Sequence, residues 1–234
     1  MRILNVVLAF MFTVTLAASI QGCSGNKIDE SDPALLYKDA EDDVKNDHYQ
    51  IAIDKLRVIK NKFPYSKYAT DAQLKMGDVY FLEESYGEAA AVYESFRDLH
   101  PKHEKIPYAM FRIAKSYYND LPDPLARDMT EGQKAMDAYN EFLKRFPTAP
   151  EAEEAKKDVL EVRQKLASKE LYIANFYFKR DYFDSAKGRY AKILDLYPDT
   201  AAAKEAQEKL NRIAEEKKKE SASDARTNPQ PSGK

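Results

Sequence analysis

Side chains able to do covalent or metal chemistry are few: three histidines, His48, His100 and His103, and one cysteine, Cys23. His100 and His103, with Glu104 next to them, carry the donor types of a metal site. They straddle Pro101 at a predicted helix end, where an imidazole also complements the negative end of the helix dipole, and we read them as a helix terminus rather than as ligands. Asp120, Asp123 and Asp128 crowd one segment and could attract a hard cation, but their spacing lacks the regular oxygen positions of a calcium loop. A solvated loop is the simpler expectation. Asp42-Asp43 and Glu83-Glu84 fall on predicted helices, where neighbours diverge by about 100°, so neither pair can act as an acid and base couple. A lone cysteine builds neither an intrachain disulfide nor a thiolate zinc site. The sequence contains no glycine-rich phosphate loop, nucleophile elbow or zinc-protease helix motif. The expectation is a protein with no catalytic site, no metal and no diffusible cofactor.

Cys23 matters through its position. After Arg2 an apolar run extends from Ile3 to Ile20, broken only by Asn5, Thr13, Thr15 and Ser19, and Gln21-Gly22-Cys23 follows. This is the layout of a secretory signal peptide. Ile20, Gly22 and Cys23 match the box at which a bacterial lipoprotein signal is cut, with Gln21 where a small residue is usual. An uncleaved membrane anchor is the rival reading, because 18 mostly apolar residues approach the minimum that spans a bilayer. Lipidation is favoured by the single cysteine at the required place and by the flexible Ser24-Gly25-Asn26-Lys27 after it. The expected order is a lipoprotein signal peptide over 1–22 and a tether over 23–32, with N-acyl and S-diacylglycerol groups on Cys23. Several acyl chains hold stably where one is marginal, so contact with the membrane is expected through the anchor only. Ser24, rather than Asp, after the cysteine fits an outer-membrane destination on the periplasmic face.

The elements beyond the anchor read as helices. Ala, Lys, Glu, Leu and Asp abound, there are 7 Gly and no Trp, and period-two apolar runs are scarce. With 37 basic and 39 acidic side chains the net charge is −2, too balanced for the footprint of a nucleic-acid binder. An aromatic or aliphatic residue precedes a proline step four times, at Phe63-Pro64, Leu99-His100-Pro101, Phe146-Pro147 and Tyr197-Pro198. Each proline closes a helix, lacking an N–H and disfavouring helical geometry in the residue before it.

Counting back from Pro101 gives Phe96, Tyr93, Ala89, Tyr80 and Gly77, the offsets of a tetratricopeptide (TPR) helix pair. The same count gives Ile59, Leu56, Ala52 and Ala40 before Pro64, and Phe142, Tyr139 and Ala135 before Pro147. Before Pro198 it gives Ile193, Tyr190 and Ala186. Helix A of the third unit carries Ala114 and Tyr117, followed by a loop with Pro122 and Pro124. In the fourth, residues 151–180 hold no Pro or Gly, so helix A lengthens, with Ala174 and Tyr177 in register. The predicted fold is all-α: a TPR-like helical-hairpin solenoid of about five repeats, with a longer helix joining N- and C-terminal halves. Repeats are expected over 33–147 and over 148–219 with a capping helix, and a disordered polar tail over 220–234.

The 16 tyrosines against 11 phenylalanines are mostly core at helical spacing, while Tyr65 and Tyr182, at turns, fit exposed contact anchors. Charge gathers at the fourth turn in Lys179, Arg180, Asp181, Lys187 and Arg189. Arg189 precedes core Tyr190, so it points off the hydrophobic face, free to bond a partner's carboxylate or to be an ordinary surface arginine.

Across nearly all the mature chain the sequence resembles the BamD (or ComL) family of TPR lipoproteins of the outer-membrane β-barrel assembly machinery. The resemblance rests on Leu36-Tyr37 with Ala40, Tyr49 with Ala52-Ile53, Phe63-Pro64 with Ser66 and Tyr68-Ala69, and His100-Pro101-Lys102-His103 followed by Tyr108-Ala109. It also rests on Arg127-Asp128 before Ala135, and on Tyr197-Pro198-Asp199-Thr200. It departs at Glu104, where proline is usual, and at Arg112-Ile113-Ala114. The resemblance implies a scaffold whose C-terminal repeats dock on the POTRA domains of a BamA-like central barrel subunit. Its N-terminal repeats would take unfolded outer-membrane proteins or other assembly lipoproteins, and Arg127-Asp128 joins the candidate contacts. The alternative from another class is a TPR lipoprotein adaptor delivering substrates to a periplasmic protease or murein enzyme.

Overall fold

The computed structural model describes residues 31–122 and 128–227; Cys23, Asp123 and Arg127 lie outside them. Among the described residues nine helices follow one another: α1 Pro33–Lys45, α2 Tyr49–Lys62, α3 Lys67–Leu82, α4 Tyr86–Leu99, α5 Ile106–Asn119, α6 Thr130–Arg145, α7 Ala152–Phe178, α8 Phe183–Leu196 and α9 Ala201–Thr227. Each packs on the next, giving four hairpins and a closing helix, the TPR-like solenoid expected from the repeats.

The ends of the helices follow from local chemistry. Asp32 accepts the Ala34 amide at 2.8 Å and caps α1, with Pro33 in the first turn, where its missing N–H costs nothing. At the other end of the B helices, Phe63, His100, Phe146 and Tyr197 each give their N–H to the carbonyl four residues back, and the following proline allows no further turn. The three tight turns inside hairpins one, two and four share a device. Asp47, Glu84 and Asp181 stand at φ 59, 60 and 61°. The next amide in each case, of His48, Ser85 or Tyr182, reaches back to the carbonyl of Asp43, Tyr80 or Tyr177, a helix-terminating arrangement in which glycine is the usual left-handed residue. Glu83 and Glu84 therefore end α3 and form the turn instead of lying within a helix.

Small residues let the helices of a hairpin meet. Ala40, Ala52, Ala89, Ala114, Ala135, Ala174 and Ala186 are all fully buried. At Gly77 an added Cβ would stand 2.7 Å from the Tyr93 ring, so glycine is required by close approach. In the third hairpin Leu121 folds back over Gly132, where an added Cβ would lie 3.0 Å from its Cδ2 and 3.1 Å from Leu166 of α7. That contact ties the start of the inserted loop to the long helix.

Helix α7 is 27 residues long, the extension expected where no breaker occurs. It packs on α5 and α6 and on α8 and α9, joining the halves. One end of α9 departs from expectation: the helix continues to Thr227, past Glu220 where a disordered tail was expected. No Pro or Gly occurs between 220 and 227, and Pro229 is the first residue that forbids helix.

Candidate functional site

The large tyrosines of the B helices fix how neighbouring elements sit, and their hydroxyls must find acceptors once buried. Tyr93 donates to Asp78 of its own helix A at 2.7 Å, and Tyr190 to Asn175 of its own helix A at 2.6 Å. Asp78 and Asn175 are the residues following Gly77 and Ala174. In the third hairpin the equivalent position after Ala114 is Lys115, which cannot accept. Tyr139 instead donates to Asp158 of α7 at 2.6 Å, and Lys115 donates to the same carboxylate at 2.7 Å and pairs with Glu154 at 2.8 Å. Burial opposes the charge of Lys115, but the hydrogen bonds to Asp158 and Glu154 prevail and hold its pKa above the ordinary lysine value. A lysine in an acceptor's place thus clamps α7 onto the N-terminal half.

A second knot joins hairpins two and three. Tyr108 of α5 also donates to Asp78 at 2.7 Å, and Arg112 donates to the Tyr93 hydroxyl at 3.2 Å while its guanidinium lies 3.5 Å from the Phe81 ring centre. Burial first, then the Asp78 charge, pushes both tyrosine hydroxyls far above their ordinary range, so they act as donors throughout the physiological range. The positions after Gly77 and Ala174 are acceptors and the one after Ala114 is not; the sequence reading missed this, although the register that exposes it was in hand.

Among the described residues each half has an open concave region, and a further hollow of about 420 Å³ lies among Asp120, Pro122, Asp128, Thr130 and Glu131. At the N-terminal half, a groove of about 360 Å³ lies among Lys60, Pro64, Ala69, Thr70, Gln73, Leu99 and His100. A smaller hollow of about 150 Å³ shares Lys60 and Gln73 and reaches Met76, Val92 and Ser95. Gln73 is fixed from both sides, donating to Ser95 at 3.1 Å and lying 3.2 Å from His100 Nε2. His100 and His103 both pack against Phe96, with ring centres 5.1 and 5.2 Å away, so the pair serves the end of α4 and the groove wall. Burial, and then the neighbouring His103, lowers the His100 pKa. Leu99, 66% exposed, gives this groove an apolar lip, and Tyr65 at the nearby turn is fully exposed.

At the C-terminal half a groove of about 500 Å³ is lined by Tyr177, Asp184, Ser185, Gly188, Arg189 and Lys192. Glu170 of α7 receives Arg189 Nη1 at 2.8 Å and Lys192 Nζ at 2.6 Å. Burial works against its charge, but the hydrogen bonds from those two cations outweigh it and keep its pKa below the usual carboxylate range. Asp184 pairs with Lys217 of α9 at 2.6 Å.

The sequence-predicted contacts fall into groups. Arg180, Asp181 and Tyr182 lie in the α7–α8 turn, while Lys187 and Arg189 lie further along α8, and of the five only Arg189 lines the groove. Arg189 is anchored to Glu170 rather than free, with its side chain 40% exposed. Arg180 lies over Phe176, 3.7 Å from the ring centre, and Asp181 holds the left-handed turn position. Tyr182 is 59% exposed and meets the Tyr177 ring edge-on at 6.4 Å, whereas Lys187 is exposed on α8. Tyr65 lies apart, at the α2–α3 turn. Asp128 accepts the Thr130 hydroxyl at 2.8 Å and its amide at 3.2 Å, organising the start of α6. Among the described residues no group of three or more His, Cys, Asp or Glu side chains could hold a metal, and no helix is long and apolar enough to cross a membrane.

The sequence profile of the YfiO family, described as outer membrane lipoprotein, matches residues 29–228. The outer membrane protein assembly factor BamD of Neisseria gonorrhoeae is 27% identical over 212 residues, spanning 83% of this chain and 79% of that one. The protein of the same name from Vibrio cholerae is 27% identical over 198 residues, covering 80% and 82%. Among solved structures, a chain of MamA from Desulfovibrio magneticus RS-1 is a distant likeness, with TM-score 0.39 and 18% identity over 70% of this chain and 75% of that one.

Proposed function

Since the chain belongs to the YfiO family of outer membrane lipoproteins, we propose that it is a non-enzymatic scaffold of the machinery that assembles β-barrel proteins in the outer membrane. In this reading the C-terminal face around Arg189 docks on the POTRA domains of the central barrel subunit. The N-terminal groove around Gln73 and Leu99 receives extended segments of unfolded outer-membrane proteins, or a second assembly lipoprotein. Arg127-Asp128 and Tyr65 are auxiliary contacts. Cys23, carrying N-acyl and S-diacylglycerol groups, holds the chain at the periplasmic face of the outer membrane.

The observation that carries the reading is an open concave region in each half of a solenoid whose long helix is clamped to both. Relatives named for outer membrane protein assembly match most of this chain over most of their own length, which supports a role in the same process. A solenoid of helical hairpins with large concave surfaces is suited to binding other chains.

The test is a mild-detergent pull-down of the tagged, lipidated protein from its own envelope, with bound proteins identified by mass spectrometry. Recovery of a large POTRA-containing barrel protein is expected, and a Cys23→Ala variant should leave the outer-membrane fraction with its helical circular dichroism intact. A protease or murein hydrolase recovered without that barrel would replace this reading with the adaptor one.

A further inference from the structure

Four glycines lie among the described residues; two are required by packing inside the chain, and a third, with nothing within 4 Å of an added Cβ, sits where glycine costs little. Gly77 is needed under the Tyr93 ring and Gly132 under Leu121 and Leu166. Gly87 is the second residue of α4, in a first turn where amides have no helical acceptor and glycine costs little. Gly188 is different. It is the sixth of the 14 residues of α8, its φ is not in the left-handed region, and an added Cβ would meet nothing within 4 Å. Alanine would fit there and would favour the helix, since mid-helix glycine loses more backbone entropy on folding. Neither packing nor backbone geometry accounts for glycine at 188.

Its surroundings point outward. Gly188 is exposed and forms part of the groove with Tyr177, Ser185, Arg189 and Lys192. Lys187, Arg189, Lys192 and Lys217 outnumber the carboxylates Glu170, Asp181 and Asp184 there, so the face is positive. Glu170 engages Nη1 of Arg189, leaving the rest of a planar guanidinium on a partly exposed side chain to meet a second carboxylate.

We infer that Gly188 is a contact seat, a point on α8 where the backbone of a carboxylate-bearing segment of a partner protein approaches closer than a Cβ permits, bringing its carboxylate onto Arg189. The missing side chain weakens the helix and makes room for that segment. This rests on the docking face proposed above and adds to it the residue that sets how near the partner comes.

The test compares Gly188→Ala, Gly87→Ala and Arg189→Ala in the full lipidated chain held in detergent micelles. The affinity of each for the purified POTRA region of the central barrel subunit is measured by calorimetry, and melting is followed by circular dichroism. Gly188→Ala is expected to raise the melting temperature by about 2–4 °C while weakening binding roughly tenfold, and Gly87→Ala to leave binding as it is. If Gly188→Ala binds like the parent while Arg189→Ala is weakened, the contact seat is overturned and the docking face stands. If neither substitution weakens binding, the docking face fails and the seat with it. A lowered melting temperature in Gly188→Ala would mean that the glycine serves the fold, which also overturns the inference.

Discussion

Replacing Asp158 with alanine tests whether a lysine in an acceptor's place holds the two halves together. Asp158 is 6% exposed and is the acceptor for Tyr139, which is fully buried. Without the carboxylate the phenol is stranded, at a cost of about 1–3 kcal/mol. Lys115 loses its 2.7 Å partner as well; a fully buried pair broken on one side costs about 3–5 kcal/mol. Here that term is much reduced, because Lys115 keeps Glu154 and reaches water, its side chain being 19% exposed. The expected loss is about 2–4 kcal/mol, or roughly 5–12 °C in melting temperature.

Asp158→Asn, which can still accept from Tyr139, should lose about half as much, and Tyr139→Phe about 1 kcal/mol. In urea unfolding, the Asp158→Ala and Tyr139→Phe double variant should cost about 1–2 kcal/mol less than the sum of the singles, because one bond is removed by both. A loss under about 0.5 kcal/mol for Asp158→Ala, or full additivity of the pair, would refute the clamp.

Glu84→Gly should stabilise the fold by about 0.5–1 kcal/mol, since φ is 60° there and a side chain is strained in that region; an unchanged or lower urea midpoint would contradict the turn geometry. Gly77→Ala should cost about 1–3 kcal/mol by overpacking, because the Tyr93 ring lies 2.7 Å from the new methyl, and thermal melting reads it directly. Burial and His103 lower the His100 pKa in the fold. The contribution of His100 is therefore present above the unfolded value of about 6.5 and lost as pH falls through the folded one. Melting temperature should drop as pH falls below about 6.5, and His100→Gln should flatten that drop; identical profiles for the two proteins would dismiss the histidine as its source.

What the sequence made legible was whatever repeats or forbids. Prolines 64, 101, 147 and 198 marked helix ends because the ring removes a donor, and alanines and tyrosines at fixed offsets from them marked the crossings. The length of α7 followed from the absence of any breaker. Less legible were features set by partners distant in the chain. Glu170 reads as a solvated helical glutamate until α8 brings Arg189 and Lys192 onto it, and Asp158 reads likewise until Tyr139 and Lys115 meet it. The turns at Asp47, Glu84 and Asp181 were hidden for another reason: acidic residues occupy positions where glycine is the customary sign. Of the docking residues, the cluster around Arg189 was legible as charge beside core Tyr190, whereas Gly188 was not, because only a structure reveals that nothing lies above it.

The length of α7 has a mechanical meaning. At 27 residues it extends about 40 Å, and it is pinned near its first turns by Asp158 while bearing Glu170 and Tyr177 towards its far end. A rod held in that way turns angle into distance: one degree of tilt about the pin carries the distal end through roughly 0.5 Å, about a fifth of a hydrogen-bond length. A tilt of about three degrees from repacking beneath hairpin three would shift Glu170 by about 1 Å, enough to strain its bonds to Arg189 and Lys192.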